Sequence, residues 1–129
     1  MPRLRTACLA VVVSAVLSAC GGASNGGTEV DPSAVGTPDA DGVLRVVGTD
    51  NLQWDPPALS APAGEVLFAL QCEERVNHNL VVGDDRTVVA ECGPGGSDQG
   101  ALELAAGTYP FVCTIPGHEA RMRGTLTVE

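Results

Sequence analysis

Between residues 42 and 129 the chain alternates apolar and polar residues in short runs broken by Gly, Pro, Asp or Asn, and no stretch carries the period of an amphipathic helix. The runs predict strands over 43–47, 59–61, 65–72, 78–82, 87–91, 101–104, 108–113 and 124–128. Seven to eight short strands at this spacing imply an all-β fold, a β-sandwich with Greek-key connections. Side chains alternate between the two faces of a strand, so parity assigns them to core or solvent. Val66, Phe68, Leu70 and Cys72 share an inward face, as do Leu126 and Val128, with Thr125, Thr127 and Glu129 outside. Tyr109 and Phe111 share their face with Cys113, and Val76, Leu80 and Val82 share theirs with His78. A thiol and an imidazole are thereby directed into one interior. Pro110 brings no N–H to a ladder, so it lies at an edge or points outward. Trp54, the single tryptophan, reads as core or strand-edge packing.

The pattern changes before residue 42. Arg3 and Arg5 precede an uncharged apolar run over 7–17, which reads as a signal peptide over 1–19 and is shorter than the roughly 20 residues of a membrane-spanning helix. Leu17-Ser18-Ala19-Cys20 resembles the lipobox of bacterial lipoproteins, which implies lipidation of Cys20; a plain secretory signal is the simpler alternative. Two acyl chains on such a cysteine anchor a protein stably. Residues 20–41 are dominated by Gly, Ala, Ser, Thr, Pro and Asp without an aromatic side chain, and predict a lipidated N-terminus and flexible tether ahead of one domain over 42–129. Together these features place the domain on the outer face of the bacterial cytoplasmic membrane, attached through lipid alone.

All seven basic residues are arginine and two lie in the signal segment, which leaves five against sixteen carboxylates, a formal charge of −11. That sign excludes nucleic acid as a partner. It favours a basic docking protein, with association weakened by salt. A monomer is expected.

Of the five cysteines, Cys8 leaves with the signal and Cys20 takes lipid, so Cys72, Cys92 and Cys113 remain in an oxidising compartment. A Cys72–Cys92 disulfide would contribute about 3 kcal/mol through loop closure. Free thiols or a redox pair are the alternatives, and pairing with Cys113 would remove a metal donor. The strongest chemical signal is Cys113-Thr114-Ile115-Pro116-Gly117-His118-Glu119-Ala120-Arg121-Met122, which offers a thiolate, an imidazole and a thioether from one loop. Pro116-Gly117 is a turn pair that folds this loop back and brings His118 towards the sulfur. His78, the other histidine of the chain, supplies a fourth donor. Singly, such residues are more often packing than ligands. Jointly, two imidazoles, a thiolate and a weak axial methionine are the donor set of a blue-copper electron-transfer site. One copper per chain is the expected cofactor, with zinc the competing ion. Four protein donors leave no open position for a substrate, and the sequence carries no nucleophile–base set or phosphate loop, so an enzyme is not expected.

Residues 113–128, CTIPGHEARMRGTLTV, resemble the C-terminal ligand loop and strand of azurin- and auracyanin-type members of the cupredoxin family. Asn77-His78-Asn79-Leu80-Val81 is similar to the family's first-histidine segment, which implies that Asn79 ties the two ligand loops together by hydrogen bonds. The resemblance implies the cupredoxin fold, one copper held by His78, Cys113, His118 and Met122, and one-electron exchange with a cytochrome, oxidase or reductase. A copper-binding or copper-delivery protein supplying an oxidase is the alternative; delivery sites are often Met-rich, and the chain has only Met1 and Met122. Three departures from azurin stand out. Only 34 residues separate His78 from Cys113, which implies a domain without azurin's helical insertion. Asn77 replaces the glycine whose carbonyl approaches copper in azurin, and Glu119 and Arg121 put charge where azurin offers an apolar docking patch.

Overall fold

A computed structural model describes residues 29–129, so the expected signal peptide, the lipidation at Cys20 and the first part of the tether lie outside the described residues. The strands are β1 (Val35–Gly36), β2 (Val43–Gly48), β3 (Trp54–Asp55), β4 (Ala58–Ala61), β5 (Gly64–Cys72), β6 (His78–Val82), β7 (Thr87–Cys92), β8 (Ser97–Leu104), β9 (Gly107–Val112) and β10 (Arg123–Val128). They form a six-stranded sheet in the order β1-β4-β10-β9-β6-β7 and a four-stranded sheet in the order β3-β2-β5-β8. Among the described residues there is no helix. Eight strands fall where the alternation predicts them, and β1 and β3, of two residues each, are additions.

The expected boundary at residue 42 falls inside ordered structure. Val35 and Gly36 pair in parallel with Ala58 and Leu59, and the Asp39 carboxylate accepts the Val43 N–H at 3.0 Å and meets Arg45 Nε at 2.6 Å. Backbone pairing with an open sheet edge holds this stretch, and such pairing leaves little trace in composition. β8 likewise starts at Ser97, ahead of the apolar residues that reveal it, because Ser97–Gly100 pair with Phe68–Gln71 of β5.

Parity holds in the strands that frame the core. Leu44, Val46, Phe68 and Leu70 of one sheet face Leu59, Leu80, Phe111 and Leu126 of the other, all 1 % exposed or less. β6 is buried on both faces, since Asn79 and Val81 are covered as well as His78, Leu80 and Val82. Pro110 is exposed and sits just where the β6–β9 ladder stops at Val82↔Phe111; its carbonyl still accepts the Gly83 N–H at 2.8 Å. The ends of β2, β5, β7 and β9 and the starts of β6 and β10 collect at one pole, as the pairs Gly48↔Cys72, His78↔Cys92 and Arg123↔Val112 require.

Gly124 lies directly across the ladder from Phe111, and a Cβ there would run into the ring of that buried side chain. Gly124→Ala therefore overpacks the sheet face behind the pole and should cost about 1–3 kcal/mol. The measurement is the denaturant midpoint of the variant against the parent. An unchanged midpoint would show that the ring moves freely.

Candidate metal centre

His78 opens β6 and is 1 % exposed, with its backbone paired to Cys92. Its ring lies over Gly48, where a Cβ would come within 2.6 Å of His78 Cγ, so only glycine fits beneath it. Trp54 closes another side, its ring centroid 6.1 Å from that of His78 and 5.8 Å from that of Phe111.

Cys113 follows β9 and is fully buried, the one free cysteine among the described residues. Its N–H donates to the Met122 carbonyl at 3.2 Å, which closes the base of the 113–122 loop. Within the loop His118 N–H donates to the Ile115 carbonyl at 3.0 Å around Pro116-Gly117, and Gly117 takes the positive φ of 88° that such a turn needs. Arg121 and Met122 N–H groups then converge on the His118 carbonyl at 2.9 and 3.0 Å. The loop thus returns His118 to the sulfur, as the Pro-Gly pair predicts.

The β6–β9 register, Val81↔Val112 and Val82↔Phe111, continued two places brings Asn79 opposite Thr114. There the backbone ladder has ended and the Asn79 side chain takes over. Its Oδ1 accepts the Thr114 N–H at 2.7 Å, and its Nδ2 donates to Thr114 Oγ1 at 2.8 Å. Asn79 therefore links the first-histidine strand to the residue after the cysteine, in the role the resemblance implies for it.

Cys113 Sγ lies 4.0 Å from His78 Nδ1 and 3.5 Å from His118 Nδ1, and the donor atoms of His78, Cys113 and His118 lie within 4.8 Å of one another. Met122, fully buried, packs in the same core cluster as Cys113. A soft sulfur and two imidazole nitrogens converging in a dry pocket fit a copper ion well. His78 and Cys113 are buried, whereas His118 is only partly covered. Burial holds the His78 ring below the ordinary histidine value of 6.5, and the His118 ring adds to this; the Thr49 backbone, Asp50 and Glu73 oppose it. His78 Nε2 lies against the Thr49 backbone without a hydrogen bond of good geometry.

The charge beside His118 is engaged in ion pairs. Glu119 accepts from Arg86 at 2.9 and 3.1 Å and from Arg123 at 3.1 Å, and the Arg86 hydrogen bonds hold its carboxyl below the usual range. These contacts tie the β6–β7 turn to the outside of the ligand loop.

Cys72 and Cys92 form the expected disulfide, with a Cα–Cα separation of 5.9 Å. Two positions escaped the sequence reading. Gly48 was legible only as a glycine ending an alternating run, and Thr114 only as the hydroxyl residue after the cysteine.

Residues 41–129 match the family described as copper binding proteins, plastocyanin/azurin family. The copper-resistant cuproprotein CopI of Rubrivivax gelatinosus is 30% identical over 107 residues, covering 66% of this chain and 65% of that protein. The chain thus spans about two thirds of that relative's length. Among solved structures, auracyanin A, a blue copper protein of Chloroflexus aurantiacus, superposes with a TM-score of 0.59 at 22% identity over 67% of this chain and 98% of its own. Azurin iso-2 of Methylomonas sp. strain J gives 0.58 at 22% identity over 70% and 99%, and auracyanin B gives 0.58 at 28% identity over 67% and 88%. The solved structures support the β-sandwich of the cupredoxins, and the family match together with the three converging donors supports a single copper site.

With its folded-state value depressed, His78 stays neutral while the unfolded chain takes up a proton near 6.5. Metal-free protein should therefore hold its stability above that pH and lose it as pH falls through and below it. Thermal unfolding of the metal-free chain between about pH 7.5 and about pH 5 checks this, above the range where carboxylates titrate. His78→Gln should flatten the slope; an equally steep slope in that variant would assign it to other groups.

Proposed function

The chain belongs to the plastocyanin/azurin family of copper-binding proteins, and from that premise we propose that it carries single electrons through one copper held by His78, Cys113, His118 and Met122. The observation that carries this reading is the convergence of three donor atoms within 4.8 Å around a buried thiol. Bound copper supplies a one-electron couple between Cu(I) and Cu(II). The residues supply a frame. Gly48 and Trp54 fix the plane of His78, the Asn79–Thr114 hydrogen bonds hold the two ligand segments at constant spacing, and the Cys113–Met122 backbone bond closes the loop. Donors held this way move little between oxidation states. The fully covered Met122 would supply a weak thioether donor, and burial of His78 and Cys113 keeps water from competing as a ligand. His118, the partly exposed member, offers the route by which an electron leaves or enters.

On this reading the protein is a carrier and not an enzyme, working as a monomer at the outer face of a bacterial cytoplasmic membrane through lipid on Cys20. The excess of carboxylates favours a basic redox partner, a cytochrome, oxidase or reductase. A second reading, copper handling or delivery, is favoured by the likeness to a protein named copper-resistant.

Cu(II) added to the full-length chain should give an intense blue thiolate charge-transfer band and reversible cycling. Cys113→Ser should abolish the colour, while Met122→Leu should keep it and raise the potential. A colourless protein that binds Cu(I) tightly and passes it readily to a chelator would replace electron transfer with delivery.

A further inference from the structure

The Cys72–Cys92 disulfide lies on a closed path around the first histidine. His78 pairs across the ladder with Cys92, and Cys92 is bonded to Cys72. Cys72 in turn pairs with Gly48, and Gly48 is the surface on which the His78 ring rests. The path crosses from one sheet to the other and back. Neighbouring backbone bonds reinforce it: Glu73 N–H donates to the Gly48 carbonyl at 3.0 Å, Cys72 N–H to Gly96 at 2.9 Å and Gly95 N–H to Glu73 at 2.7 Å. A staple serving only the core as a whole need not engage either neighbour of a ligand. This one engages both, the strand partner of His78 and the strand partner of its floor.

Resting on the copper reading above, we propose that the Cys72–Cys92 disulfide is a positioning element for His78: it sets the spacing between the floor at Gly48 and the backbone of β6, and with it the reach of the imidazole towards Cys113. By linkage, a bond that favours the binding geometry is favoured in return when a cation occupies it.

The test compares the full-length parent with a Cys72→Ala/Cys92→Ala variant, and with Val66→Ala as a control that weakens β5 at the other end of the same strand. Amide hydrogen exchange of the metal-free proteins should rise selectively at Gly48–Asp50 and His78–Leu80 in the double variant, with β4 and β10 moving no more than in the control. Titration with Cu(II) should show affinity lower by about tenfold or more, the range found when support of a metal ligand is removed, together with a shifted blue band. The control should keep parent affinity and colour. Exchange that rises evenly over both sheets, or affinity equal to the parent's, would overturn the proposal and leave the bond a general staple. Should the double variant not fold, the metal-free parent reduced with dithiothreitol gives the same comparison, and global unfolding there counts against a local role. A parent that binds no copper would refute the copper reading alone, because the exchange pattern is read without metal.

Discussion

A buried imidazole nitrogen facing a buried sulfur 4.0 Å away is the constraint on which the whole pole depends. Both are shut off from water, and the sulfur has a second imidazole nitrogen, that of His118, at 3.5 Å. Polar groups gathered in an interior stay in one arrangement only where their surroundings hold them. The surroundings answer that demand with rigidity. His78 has a glycine beneath it, a tryptophan beside it and a strand at its back, so its ring has no alternative place to go.

The other ligands are held by different means. Cys113 stands just after β9 where ordinary sheet pairing has stopped, and the Asn79 side chain carries the pairing on to Thr114. His118 belongs to a short loop that is closed by its own turns and by the Cys113–Met122 bond, then fastened from outside by Glu119, Arg86 and Arg123. Those outer ion pairs are exposed and individually weak. The inner frame therefore does most of the positioning, with the ion pairs adding a charged collar around His118.

Small size makes this economy necessary. A single core in a domain of this length has little stability to spare. Its disulfide, the glycine beneath His78 and its buried tryptophan all lie at the pole that carries the chemistry.

Much was determined by sequence alone: the alternation that makes strands, the inward parity of His78 and Cys113, the Pro-Gly turn that returns His118, and the cysteine count that leaves one thiol unpaired. These are local properties, set by the two-residue period of a strand and by the backbone preferences of proline and glycine. The tertiary structure decided what depends on residues far apart in the chain. β1 and the first half of β8 exist because open sheet edges offer them partners, although their side chains advertise nothing. Gly48 matters because a ring from thirty positions onward comes to rest on it. The sulfur of Cys113 has His78 as a neighbour because register, set by hydrogen bonds between strands, decides which residues stand opposite one another, and register is a property of pairs of strands that no single strand contains.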